Sequence, residues 1–113
     1  MFYQNMPLYL KLTFLLKELY QISHHLPKEY KYSLGSDIVN KNWELIDLYT
    51  TAQIGFVKDK KEIVSQLLIC FEIFKLRVRF LSELRLISLG QASAINETVA
   101  EIGKMIGSWN KNI

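Results

Sequence analysis

The chain has 113 residues, half of them hydrophobic, which suits one domain burying one core and is too short for two such domains. With only five Gly and two Pro it is not a turn-rich sheet protein, and its single Cys excludes an intrachain disulfide. The net charge of +3, from 14 Lys plus Arg against 11 Asp plus Glu, favours a polyanionic partner only mildly.

Pro7 suits a first helical turn, and Leu8, Leu12, Leu15, Leu19, Ile22 and Leu26 follow at spacings of three and four, predicting a helix over residues 7–25. Tyr9, Leu16 and Tyr20 broaden its apolar face. Pro27 disfavours helical dihedrals at Leu26 and ends it. After a polar connection, Ser33 is placed to cap a second helix over residues 33–56, with Asp37 complementing its positive end. Leu34, Ile38, Leu45, Tyr49, Ala52 and Phe56 form its inner stripe. Asn42 falls where an apolar residue belongs, and is expected near an end or hydrogen-bonded to a neighbour, the alternative being a specific binding role. The Val57-Lys58 junction leaves little slack, so neighbouring helices are expected to be antiparallel.

Residues 59–87 contain neither Pro nor Gly and open on Asp59 and Glu62 in capping-box spacing. They predict the longest helix, about 43 Å at 1.5 Å per residue. Leu67, Phe71, Phe74, Val78 and Leu81 make its core stripe. A second series, Ile69, Ile73, Leu76, Phe80, Leu84 and Ile87, keeps the same rhythm well over about 100° around the helix. One stripe satisfies one core. In a chain this small the second is expected to meet another copy. Ser88 and Gln91 repeat the capping box and open a fourth helix over residues 89–109, with Ala92, Ile95, Val99, Ile102, Ile106 and Trp109 on its core line. Beside them run Asn96, Ala100, Gly103 and Gly107. Two glycines four residues apart suggest that another backbone approaches there, the alternative being fraying after Gly107. The expected fold is all-α, an antiparallel up-down-up-down four-helix bundle forming one domain over residues 1–113.

Little in the chain points to catalysis. His24 and His25 are adjacent, about 100° apart on a helix, and cannot form an i, i+4 metal pair. No Glu-x-x-His pattern, phosphate loop, dinucleotide fingerprint or nucleophile elbow occurs, so no enzyme, cofactor, metal or small-molecule substrate is expected. Cys70 reads as a small core hydrophobe. No uncharged apolar run approaches the roughly 20 residues of a membrane span, and no secretory signal is apparent, so a soluble cytoplasmic protein is expected. The basic residues Lys75, Arg77, Arg79 and Arg85 cluster in the second half of the long helix with only Glu72 and Glu83 among them, and every Arg is here. Lys75 and Arg79 lie one turn apart and could contact successive phosphates. The alternative is a solvated stripe with pairs such as Glu72 and Lys75.

Three segments resemble one family. Leu26-Pro27-Lys28-Glu29-Tyr30-Lys31-Tyr32-Ser33-Leu34-Gly35 is similar to the junction between the first two helices of the accessory variability determinant proteins of diversity-generating retroelements. Glu83-Leu84-Arg85-Leu86-Ile87-Ser88 resembles that family's turn between helices three and four. Glu101-Ile102-Gly103-Lys104-Met105-Ile106-Gly107-Ser108-Trp109 resembles its closing signature. The resemblance implies a non-enzymatic four-helix protein that forms a homopentamer, binds the retroelement reverse transcriptase and contacts RNA or DNA, supporting mutagenic cDNA synthesis. The matching basic positions are Lys28, Lys31, Lys75, Arg79 and Lys104, while Asp37 stands where relatives often carry a basic residue. The expected nucleic-acid contacts are therefore Lys75, Arg77, Arg79, Arg85, Lys104, Lys28 and Lys31. The expected oligomer contacts are Ile69, Ile73, Leu76, Phe80, Leu84, Ile87, Gly103 and Gly107. A second reading is a four-helix protein of the kind encoded in 23S ribosomal RNA intervening sequences, a structural oligomer with no polymerase partner.

Overall fold

The leucine line of the first helix is buried from Leu8 to Leu26 in a computed structural model that describes residues 6–54 and 59–113. Three and four residues are the two spacings nearest one helical turn, so the line forms a continuous ridge for the other helices to cover. Four long helices do so: α1 (Pro7–His24), α2 (Ser36–Gln53), α3 (Lys60–Glu83) and α4 (Leu89–Lys111), with no strand among the described residues. The arrangement is compatible with a four-helix bundle, 43 × 23 × 23 Å in extent. α2 packs on α1 and α3, and α4 packs on the same two helices from the other side, so that α1 and α3 lie diagonally.

Side chains tie the helices at matching heights. The Tyr9 and Tyr49 rings lie 6.2 Å apart, and Tyr49 meets Trp109 at 5.8 Å, joining the start of α1 to the ends of α2 and α4. Trp43 donates to the Tyr20 hydroxyl at 2.8 Å, Arg77 of α3 binds Asp37 at the start of α2, and Ser65 donates to Asn110 at 3.3 Å. The expected core lines of α1 and α3 are buried throughout, as are Ile38, Leu45, Tyr49 and Ala52 of α2 and Ile95, Val99, Ile102 and Ile106 of α4. No helix among the described residues is long and apolar enough to cross a membrane.

Several helix boundaries differ from expectation. Ser33 does not cap the second helix. A helical turn at Lys28–Tyr30 passes through a wider turn at Lys31–Gly35 directly into α2, and the Ser33 hydroxyl donates to the Glu29 carbonyl at 2.7 Å. The wide turn presses Gly35 against the end of α1. A Cβ there would lie 2.7 Å from Ser23 Oγ and 3.3 Å from the Tyr30 carbonyl, so the contact requires glycine. The expected end of the second helix at Phe56 and the Val57-Lys58 junction lie outside the described residues.

α3 ends at Glu83 rather than residue 87, which makes it about 36 Å long. Arg85 takes a left-handed conformation, φ 56°, while its N–H bonds to the Ser82 carbonyl at 2.9 Å and that of Leu86 bonds to the Leu81 carbonyl at 2.8 Å. These two bonds satisfy carbonyls that the helix end would leave open, the usual role of a C-terminal glycine. Here a non-glycine residue takes that place at a cost of about 1 kcal/mol. The reversal carries Leu86 and Ile87 back against the core, so Ile87 is partly buried within its own chain. The Ser88–Gln91 capping box forms with both bonds present, and α4 runs past Gly107 to Lys111 without fraying there. The close neighbour of Gly103 is the Phe71 ring of the same chain, 3.1 Å from where a Cβ would be, rather than a backbone.

Asn42 also departs from expectation. It sits mid-helix at 0 % exposure, and neither its amide nitrogen nor its oxygen has a hydrogen-bond partner. An unpaired buried polar group costs about 1–3 kcal/mol. Asn42→Leu is therefore expected to stabilise the fold by about 1–3 kcal/mol, read as a higher urea midpoint at unchanged m value. A lower midpoint would mean that the amide is hydrogen-bonded in solution.

Candidate functional site

The outer face of α3 is the most distinctive surface of the molecule. A stripe repeating on a 3.6-residue helix keeps its direction, so with Leu67, Phe71, Phe74, Val78 and Leu81 turned inward the second series must point outward. Ile69 is 62 % exposed and Leu76 53 %, and Ile73, Phe80 and Leu84 are exposed with them. From Ile69 to Leu84 this is an apolar strip about 22 Å long on a single helix. Large exposed apolar residues grouped in this way mark a contact surface rather than ordinary scatter. Of the other expected oligomer contacts, Gly107 is open, with nothing within 4 Å of an added Cβ, while Gly103 and Ile87 are engaged inside the chain.

The seven expected nucleic-acid contacts do not form one patch. Lys75 is committed to Glu72 at 2.9 Å and lies 5.3 Å from the Phe71 ring centre, and Arg77 is bound to Asp37. Asp37 thus takes up the charge of Arg77. Lys28, Lys31, Arg79, Arg85 and Lys104 have no ion pair among the described residues. Lys28 and Lys31 belong to the α1–α2 connection and Arg85 to the α3–α4 turn. These two connections share one end of the bundle, where His25 lines a cleft with Leu86 and Ile87. Lys104 lies toward the other end, beside Met6, Tyr49 and Trp109 in an apolar cleft of about 510 Å³.

The sequence reading missed a second exposed apolar patch, Leu10 and Phe14 on the outside of α1. The signal was their spacing of four residues, masked by the stronger leucine line beside them. Tyr20 and Trp43 are exposed too, fixed to each other by their hydrogen bond.

Cys70 is buried, and its thiol meets two ionisable side chains at the surface, Glu44 and Lys41. The thiol donates to Glu44 Oε2 at 3.2 Å, and Lys41 holds the same oxygen at 3.0 Å. Burial first, and the hydrogen bond to Glu44 second, push the Cys70 thiol up to about 12. Lys41 chiefly, and then the Cys70 bond, hold the Glu44 carboxyl below its ordinary value. A protonated, inward-facing thiol is a poor nucleophile. His24 and His25 are exposed, with His25 Nδ1 2.9 Å from the Gln21 carbonyl, a helix-end contact. No group of three or more His, Cys, Asp or Glu among the described residues is placed to hold a metal ion.

A family model described as bAvd-like matches residues 8–113 of the chain. No curated protein and no solved structure matches it.

The Cys70 environment has a direct chemical consequence. At pH 8, iodoacetamide is expected to alkylate Cys70 in the folded protein at least about 100-fold more slowly than in the urea-unfolded chain, because burial lowers its thiolate fraction by roughly three orders of magnitude. Equal rates would show that the thiol is open to solvent.

Proposed function

Because the chain belongs to the bAvd-like family, we propose that it is a non-enzymatic accessory protein of a diversity-generating retroelement, which self-associates and brings a reverse transcriptase together with nucleic acid during mutagenic cDNA synthesis. The match over residues 8–113 carries this reading, since it spans all four helices. In it the helices run up-down-up-down, each antiparallel to its two neighbours. The pairings of Tyr9 with Tyr49, Asp37 with Arg77 and Ser65 with Asn110, each joining the start of one helix to the later part of the next, support that topology.

Self-association, as a homopentamer by family likeness, proceeds through the outer strip of α3. Its support is energetic: burying apolar surface yields roughly 25 cal/mol per Å², and the strip has no partner within its own chain. Nucleic acid is met by Lys28, Lys31 and Arg85, which share one end of the bundle and are free of carboxylate partners. Arg77 serves the fold instead, because contacting a phosphate would strand Asp37.

Two measurements test this function. Labelled single-stranded RNA titrated at several salt concentrations should bind with a steep log–log salt dependence, and replacing Lys28, Lys31 and Arg85 by Ala should flatten the slope by about 2, at roughly 0.7 per phosphate contact. Absence of binding at low salt overturns the nucleic-acid part. Leu76→Glu or Phe80→Glu should convert the oligomer into a helical particle of 13.2 kDa, because a charge in a desolvated contact is unfavourable without a partner. A wild-type protein that is already 13.2 kDa in dilute solution overturns the self-association.

A further inference from the structure

We propose that the cleft between the end of α1 and the start of α2 seats an unpaired base of a single-stranded nucleic acid. This rests on the nucleic-acid contact proposed above, and names the form of the strand and the side chains that hold its base. The cleft has a volume of about 400 Å³ and is lined by Tyr20 and His24 of α1, Lys31 of the connection, and Ser36, Val39 and Asn40 of α2. That volume falls within the roughly 300–1,000 Å³ of a small-molecule site. Two aromatic rings, a cation, a hydroxyl and an amide around one small space are the groups that hold a splayed-out base, the rings by stacking and the polar groups at its edge.

Tyr20 is 48 % exposed, and its hydroxyl accepts from the Trp43 indole at 2.8 Å, which orders the ring in advance. An ordered ring loses little freedom on stacking. His24 follows one turn later on the same face of α1 and is exposed. Across the cleft, the exposed Asn40 amide offers donors and an acceptor to a base edge. Charge favours a nucleotide over a neutral aromatic ligand. Among the described residues no carboxylate lines the cleft, and neither Lys31 nor Lys17, one turn before Tyr20 on α1, has an ion pair. Asp37, next to Ser36, is bound by Arg77, and Glu18, next to Lys17, lines clefts on the α4 side. Val39 is the only aliphatic residue lining the cleft, so an apolar helix of another protein is poorly matched to it. A base inside a duplex is stacked between its neighbours and cannot enter a space between two helices, so the seat selects single strands. Lys28 and Arg85, at the same end of the bundle, take further phosphates of the strand, which a free nucleotide lacks.

The test is fluorescence anisotropy of a labelled single-stranded RNA, and of the same RNA annealed to its complement, with the full chain and four variants checked for helix content by circular dichroism. The single strand is expected to bind at least about 5-fold more tightly than the duplex. Tyr20→Ala and His24→Ala should each weaken single-strand binding by about 5-fold or more, with duplex binding and the salt slope unchanged, because a stacked base is lost and no phosphate contact is. Lys31→Ala should instead flatten the single-strand slope by roughly 0.7. Tyr20→Phe, which keeps the ring, should keep the preference for the single strand. If Tyr20→Ala loses helix content, His24→Ala at the exposed end of α1 carries the same comparison. Equal affinity for single strand and duplex, or aromatic variants that bind the single strand as wild type does, overturns the base seat while leaving the phosphate contacts intact. Full displacement of the RNA by equimolar AMP would make the occupant a free nucleotide and overturn the strand. No binding of either RNA at low salt overturns the nucleic-acid role itself, and the seat with it.

Discussion

α3 carries two apolar stripes pointing in nearly opposite directions, and its own chain has enough helices to cover only one. Phe71, Phe74 and their line face α2 and α4 and are buried in the core, while Ile69, Leu76 and Phe80 are left to solvent. Uncovered surface of this kind costs solubility and yields nothing to the isolated chain, so its presence on a 113-residue protein constrains what the protein does with other molecules. A helix of this composition is spaced for two partners. The proposed role as an assembling adaptor follows from that demand together with the family to which the chain belongs.

The connections are built so that the stripes stay in phase. At one junction the wide turn before α2 and the Gly35 contact pull the chain tightly against the end of α1. At the other, the left-handed Arg85 and the two hydrogen bonds around it reverse the chain in so few residues that Leu86 and Ile87 re-enter the core before the Ser88 capping box starts α4. Both tight junctions bring basic residues to the same end of the bundle. Local backbone geometry thus places Lys28, Lys31 and Arg85 together although more than fifty residues separate them in the chain.

Charged groups are divided between fold and surface. Arg77 with Asp37, Lys75 with Glu72, and Lys41 with Glu44 are internal commitments, and the Glu44 carboxylate also accepts from Cys70. Outside these pairs, Lys28, Lys31 and Arg85 stand at one end of the bundle and Lys104 toward the other. A net charge of +3 conceals this division, which is why the total says little about partners and the arrangement says more.

Periodicity alone determined the four helices, most of the buried line of each and the outward stripe of α3 from Ile69 to Leu84, because a repeat of three and four residues fixes side-chain direction wherever a helix forms. The capping residues Asp59 and Ser88 were equally legible, since they act within one turn. Tertiary structure decided what depends on contacts distant in sequence. It ended α3 early at a left-handed Arg with no glycine to announce it, assigned Gly103 to the Phe71 ring, buried Asn42 without a partner and tied Arg77 to Asp37 forty residues away. Sequence spacing specifies which way a side chain points, and only the packed chain specifies what it meets there.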